Sequence, residues 1–133
     1  MPKLSIFTYK GQDLKVKYVV TQTVKDGVEC DIYAFKDDPT KDLAIVRVKK
    51  GFRTSKQLVV KGSYTIEGYV SGLAELTITN DANGDKLYTL PNTNMNEVSV
   101  GIGEIMQWNA IEDLVFYELC DPPYEDGRFK DLE

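Results

Sequence analysis

The chain has 133 residues, 42% of them apolar and 28% charged, which suits one domain with a core of its own and needs no disulfide or metal staple. A net charge of −5 argues against a nucleic-acid binder, which meets phosphate with clustered Lys and Arg. No apolar run approaches a membrane span and the first residues lack the long apolar stretch of a signal peptide, so the expectation is a cytoplasmic protein with neither nucleic-acid nor membrane partners.

Leu4 to Tyr9 is a first apolar strand. Leu14, Val16, Tyr18 and Val20 then alternate with Asp13, Lys15 and Lys17, which at period two gives one apolar and one charged face. After a Lys25-Asp26-Gly27 turn, Val28, Cys30, Ile32 and Ala34 repeat the pattern, predicting a hairpin. Leu43 to Val48 is a further apolar run rich in β-branched residues. The basic run of Arg47, Lys49, Lys50, Arg53 and Lys56 is expected as a solvated sheet edge and turn, where lysines oppose edge-to-edge aggregation.

From Lys56 onward short segments follow at 56–60, 63–70, 73–79, 86–90, 97–100, 104–108 and 113–120, each bounded by Gly, Asn, Asp or Pro. The stretch from Asn80 to Asp85 is a loop signal, and Pro122-Pro123 stops the last strand because proline lacks the ladder N–H. A tail follows, packing through Tyr124 and Phe129. No interior stretch sustains a helical period. Regular short strands with turn residues between them predict an all-β sandwich or barrel. Cys30 and Cys120 lie outside any redox or zinc spacing and read as small buried apolar groups, with a single distant disulfide left open.

The stretch Gly51-Phe52-Arg53-Thr54-Ser55-Lys56-Gln57-Leu58-Val59, with Thr65-Ile66-Glu67-Gly68-Tyr69-Val70-Ser71-Gly72-Leu73-Ala74 after it, resembles the first conserved block of the cupin family. Residues 100–108, Glu112 to Glu118 and Cys120 to Pro123 resemble the second block and the closing strand. The resemblance implies a double-stranded β-helix, a conical antiparallel β-barrel or jelly roll with a pocket at one end. As one domain over 1–133, it would comprise N-terminal strands at 1–50, a barrel core at 51–120 and a tail at 121–133. The same alternation would also serve an unrelated β-sandwich. Cupins commonly pair through sheet edges, so the resemblance further implies a homodimer in which Leu4–Tyr9 and Leu14–Val20 cover a partner's barrel.

The family's metal is held by two histidines on one strand, a glutamate on the next and a third histidine in the second block. This sequence has no histidine. The paired positions fall on Gln57 and Val59, the glutamate position falls near Thr65, about one residue out of register, and the third has no counterpart, although Asn109 is nearby. A metal held through imidazole is therefore excluded, no metal or other cofactor is expected, and the family's metal-dependent dioxygenase and isomerase activities do not carry over.

Without histidine, acid–base chemistry would fall to carboxylates, Tyr, Lys or Cys with shifted pKa values. If Gln57 points inward as its family position does, period two turns Thr65, Glu67 and Tyr69 inward as well. A Glu67 facing solvent or bonded to nearby backbone is the bland alternative. The first functional expectation is a pocket lined by Gln57, Thr65, Glu67, Tyr69 and Trp108 that binds a small polar molecule or carbohydrate. The second is a metal-independent sugar isomerase, epimerase or lyase with Glu67 as general base and Tyr69 as acid. The third is a structural or assembly module whose barrel is plugged by Val59, Met106 and Phe116. A lone Trp108 is more simply a core or dimer-interface residue than a stacking platform. Glu104, Glu112, Asp113 and Glu118 could offer oxygen ligands, but their spacing matches no calcium loop. Gly101 and Gly103 precede no helix, so they read as a turn or bulge rather than a phosphate loop.

Overall fold

The computed structural model describes residues 3–62, 64–80, 82, 84–92, 96–121 and 129–132, with Tyr64 by its backbone alone. The alternating runs become antiparallel strands with turn residues between them. In chain order these are β1 (Ile6–Tyr9), β2 (Gln12–Lys25), β3 (Val28–Phe35), β4 (Asp42–Val48), β5 (Gln57–Val59) and β6 (Tyr64–Ser71). They are followed by β7 (Ala74–Asn80), β8 (Gly84–Leu90), β9 (Glu97–Val100), β10 (Ile105–Ala110), β11 (Leu114–Asp121) and β12 (Phe129–Asp131). No helix long and apolar enough to cross a membrane occurs among the described residues. Pro122, Pro123 and Tyr124 lie outside the described residues, whereas Phe129 packs against the core from β12.

One sheet has seven strands in the order β1-β2-β3-β4-β11-β6-β9, and the other has five in the order β12-β5-β10-β7-β8. β11 pairs with β4 on one side and β6 on the other, so the strands of residues 1–50 form a wall of the same barrel. Between the sheets, alternate residues of both meet in the main core: Val28 and Val46 from one, Leu76, Met106 and Trp108 from the other. Trp108 is 1% exposed and stacks on Phe116 with ring centroids 4.6 Å apart. The middle of the barrel is therefore filled. Gly72, in the Tyr69-Val70-Ser71-Gly72 turn, has φ +103°, and a Cβ there would fall 2.0 Å from the Asp113 carbonyl oxygen. Only glycine suits that turn.

The large sheet also buries its other face. Tyr33, Leu43 and Leu119 pack there against Phe7, Leu14 and Val16 of the β1–β2 hairpin. Phe7 meets Tyr117 edge-on at 5.2 Å, and the Tyr117 hydroxyl donates to Glu97 Oε2 at 2.7 Å. Glu97 also takes Lys10 Nζ at 3.5 Å, so the hairpin at one edge of the sheet is tied to β9 at the other.

The basic run departs from its expected place. Arg47 sits on β4, an interior strand, and holds Asp31 through Nη1 at 2.6 Å and Nη2 at 3.2 Å. Burial alone would raise the Asp31 pKa, but hydrogen bonds from Arg47, Thr21 and Lys3 outweigh it and bring the carboxyl to about 2. Lys49 and Lys50 are exposed at the turn, as expected.

Candidate functional site

The register of β6 on β11 decides which groups face inward together. Tyr69 lies opposite Phe116, Glu67 opposite Glu118 and Thr65 opposite Cys120. Directly paired residues share a face, and this face is the barrel interior, where Phe116 joins the main core. Glu67 is 2% exposed. Its Oε1 accepts a hydrogen bond from Trp108 Nε1 at 2.9 Å, whereas its Oε2 is buried with no hydrogen-bond partner. Burial first, then the proximity of Glu118, pushes the Glu67 pKa well above the usual carboxylate range, against the opposing effect of the Trp108 N–H. A carboxyl in that setting is biased toward its protonated form.

A cavity of about 210 Å³ lies between β3, β4 and β11 of the large sheet and β5 and β12 of the small one. Gln22, Thr54, Ser55 and Gln57 give it neutral polar groups, and Asp42, Glu118 and Asp131 give it carboxylates. Val28, Ile32, Val46, Phe116 and Phe129 make its apolar wall, and the thiols of Cys30 and Cys120 also border it. Both cysteines are free and buried, which leaves the distant disulfide unformed. Desolvation, then the charges of Glu118, Asp31 and Asp42, pushes the Cys30 thiol up to about 12, so it is not a nucleophile at neutral pH.

Of the expected pocket residues, Gln57 lines this cavity and its Nε2 donates to Asp131 Oδ1 at 3.1 Å. Thr65, Glu67 and Trp108 face the same interior but lie buried outside the cavity lining, at 0%, 2% and 1% exposure. Tyr69 also lies outside the lining, its hydroxyl donating to the Gly72 carbonyl at 2.7 Å. The cavity carboxylates that sequence reasoning missed are Glu118, Asp42 and Asp131, and the neutral polar groups it missed are Gln22, Thr54 and Ser55. Glu118 was grouped with Glu104, Glu112 and Asp113, yet Glu112 and Asp113 are exposed at a turn and Glu104 bonds the Gly101 N–H at 2.8 Å. Period two along Phe116, Glu118 and Cys120 was the available signal.

A histidine-held metal does not fit these residues. Gln57 offers a carboxamide already engaged with Asp131, Val59 is an apolar core residue, and no group of three metal-ligating side chains occurs among the described residues.

No family model matches the sequence, and no curated protein does. Solved structures do. A salicylate 1,2-dioxygenase from Pseudoaminobacter salicylatoxidans superposes with TM-score 0.60 at 17% identity, over 74% of this chain and 28% of its own. The oxalate decarboxylase of Lactobacillus farciminis, as a formate complex, gives 0.67 at 18% identity over 88% and 33%. KdgF from Halomonas sp. gives 0.62 at 16% identity, over 81% of this chain and 92% of its own. This chain thus spans about a third or less of the dioxygenase and decarboxylase, but nearly the whole of KdgF. Identities this low speak for fold alone. Together with the two antiparallel sheets rolled around one core, they make this protein a cupin-fold jelly roll, built here without a histidine.

Proposed function

We propose that this protein binds a small polar molecule or carbohydrate in the cavity between its two sheets, without a histidine-bound metal. The observation that carries the reading is the cavity itself: an apolar wall bearing Phe116 and Phe129, faced by Gln22, Gln57, Asp42 and Glu118. Ligand sites of small folds combine these two features, apolar area for affinity and a few polar groups for orientation. Two of the similar structures are named for anions, salicylate and oxalate. A cavity lined by three carboxylates is a poor seat for either.

The filled middle of the barrel, with Val59, Met106 and Phe116 all buried, is what favours a structural module instead. The enzyme reading has less support than either. Glu67 is held by Trp108 away from the cavity lining and Tyr69 spends its proton on a backbone carbonyl, so proton transfer at the cavity would fall to Asp42, Glu118 or Asp131.

Native mass spectrometry of the protein as it leaves its expression host, beside the cavity-filling variant Ala44→Phe, tests the binding reading. A small adduct on the wild type that the variant loses is the expected outcome. Absence of an adduct from both, with no thermal shift from a panel of sugars and small polar metabolites, would hand the case to the structural module.

A further inference from the structure

One pairing inside the barrel sets two carboxyl groups against each other. β6 and β11 run antiparallel with Glu67 directly opposite Glu118, and both side chains lie on the inner face with Phe116 and Cys120. Trp108 Nε1 donates to Oε1 of Glu67, which leaves Oε2, buried and without a partner, as the oxygen able to carry a hydrogen. Glu118 is placed to receive it: the Cys120 thiol donates to its Oε1 at 3.7 Å, and it lines the cavity while Glu67 lies behind it at 2% exposure. Two ionised carboxylates buried side by side repel strongly. One carboxylic acid and one carboxylate do not, since the O–H of the acid is a donor that the carboxylate accepts. The causes that raise the Glu67 pKa agree with this pairing, being burial first, then the charge of Glu118 and a hydrogen bond with it.

The elements packed around the pair bring further titratable groups. β4 places Asp42 opposite Cys120, β3 brings Cys30, whose own pKa Glu118 helps to raise, and β12 brings Asp131 to the same cavity wall. β9 sets Val98 opposite Glu67, and the adjacent Glu97 turns to Tyr117 and Lys10 at the outer face. Arg47 of β4 is held on that outer side by Asp31.

We infer that Glu67 and Glu118 share one proton and form a pH-sensitive joint between β6 and β11. With the proton in place, Glu67 Oε2–H donates to Glu118, and a side-chain bond reinforces the backbone ladder. Once it is lost, two negative charges stand directly opposite each other in the interior. β11 is the strand through which β1 to β4 join β6 and β9, so the joint lies where the two parts of the large sheet meet. Protons leave such a pair in two steps that belong to both groups. The joint needs no ligand in the cavity.

Carbon-13 labelling of glutamate Cδ in the full chain reads both groups at once. Between pH 3 and pH 11 the Glu67 and Glu118 carbons are expected to follow the same two midpoints, the upper one well above 4.5, whereas the exposed Glu112 follows one. Glu67→Gln and Glu118→Gln assign the two resonances by deletion. In each variant the remaining carboxyl should titrate in a single step, with Glu67 in Glu118→Gln about one pH unit or more below the upper wild-type midpoint. Amide exchange, corrected for its intrinsic pH dependence, should show protection of 66–69 and 116–119 falling about tenfold across the upper step relative to β2 and β3, with no such fall in Glu67→Gln. Independent single-step titration of the two carbons in the wild type, a result that needs no variant to fold, overturns the shared proton. Unchanged relative protection across the upper step overturns the joint.

Discussion

A carboxyl group 2% exposed and opposite another carboxyl is a burden on the fold at neutral pH. Glu67→Gln should relieve it. The carboxamide oxygen keeps the bond from Trp108, and its NH₂ puts a donor where Oε2 now meets no partner. Stability at pH 8 should rise by about 1–2 kcal/mol, the scale of a buried polar group left unsatisfied. The pH dependence follows in sign. The folded pKa lies above the 4.5 of the unfolded chain, so the folded form binds more protons and wild-type stability falls as pH rises from about 4.5 through the folded value. Denaturant titrations between pH 4 and pH 9 should show that decline in the wild type and its loss in Glu67→Gln. Equal pH profiles would mean that the fold does not raise the Glu67 pKa. The inward aim of Thr65, Glu67 and Tyr69 was legible in the sequence, because period two fixes it once one residue is placed. The partnership with Glu118 was not. Val115 to Leu119 is apolar on both faces apart from Glu118 itself, and only the pairing of β11 with β6 says which face is inner.

Among the elements, the β1–β2 hairpin depends on one glycine far from it in sequence. Gly68 faces the Tyr117 ring so closely that a Cβ would lie 1.9 Å from its Cζ, and that ring carries the hydroxyl that binds Glu97. Gly68→Ala should therefore displace Tyr117, weaken the Glu97 contacts to both Tyr117 and Lys10, and cost about 1–3 kcal/mol through overpacking. Thermal melts give the cost, and faster amide hydrogen exchange confined to 6–15 would show the hairpin loosening first. Unchanged exchange there would place the hairpin's support elsewhere. The strands other than β12, which falls in the stretch read as a tail, were legible, with 97–100 and 86–90 within two residues of β9 and β8. That Leu14, Val16 and Tyr18 cover the outer face of the large sheet was not, since an apolar stripe does not say which of two apolar faces it will meet.

At the scale of the molecule, the barrel is closed by pairings between distant parts of the chain: β11 with β4 and β6, β10 with β7 and β5. Barrels dominated by non-local pairs fold slowly, in milliseconds to seconds. Trp108 is the sole tryptophan, is 1% exposed and touches both Phe116 and Glu67, so its fluorescence reports closure of the two sheets. Stopped-flow refolding should show Trp108 burial in that time range, with equilibrium melts by fluorescence and far-UV circular dichroism coinciding as one transition. Non-coincident melts would mean that the sheets form independently. Short-range alternation and turn residues carry the strands, and the cupin-like spacing carried the barrel. The order β4-β11-β6 is a non-local fact that neither motif nor period encodes.

That order also shapes the protein's birth. On the ribosome, β4 and β6 are made well before β11, the strand that belongs between them. Until residues 114–121 emerge, both present unpaired backbone edges, and the outer apolar face around Leu43 lacks Leu119. Such a nascent chain can pair β1 to β4 and β5, β10, β7 and β8 among themselves but cannot join β4 to β6, and it displays the free edges and apolar surface that aggregate or engage chaperones. A chain stalled before Leu114 would be a client for quality control rather than a half-built protein.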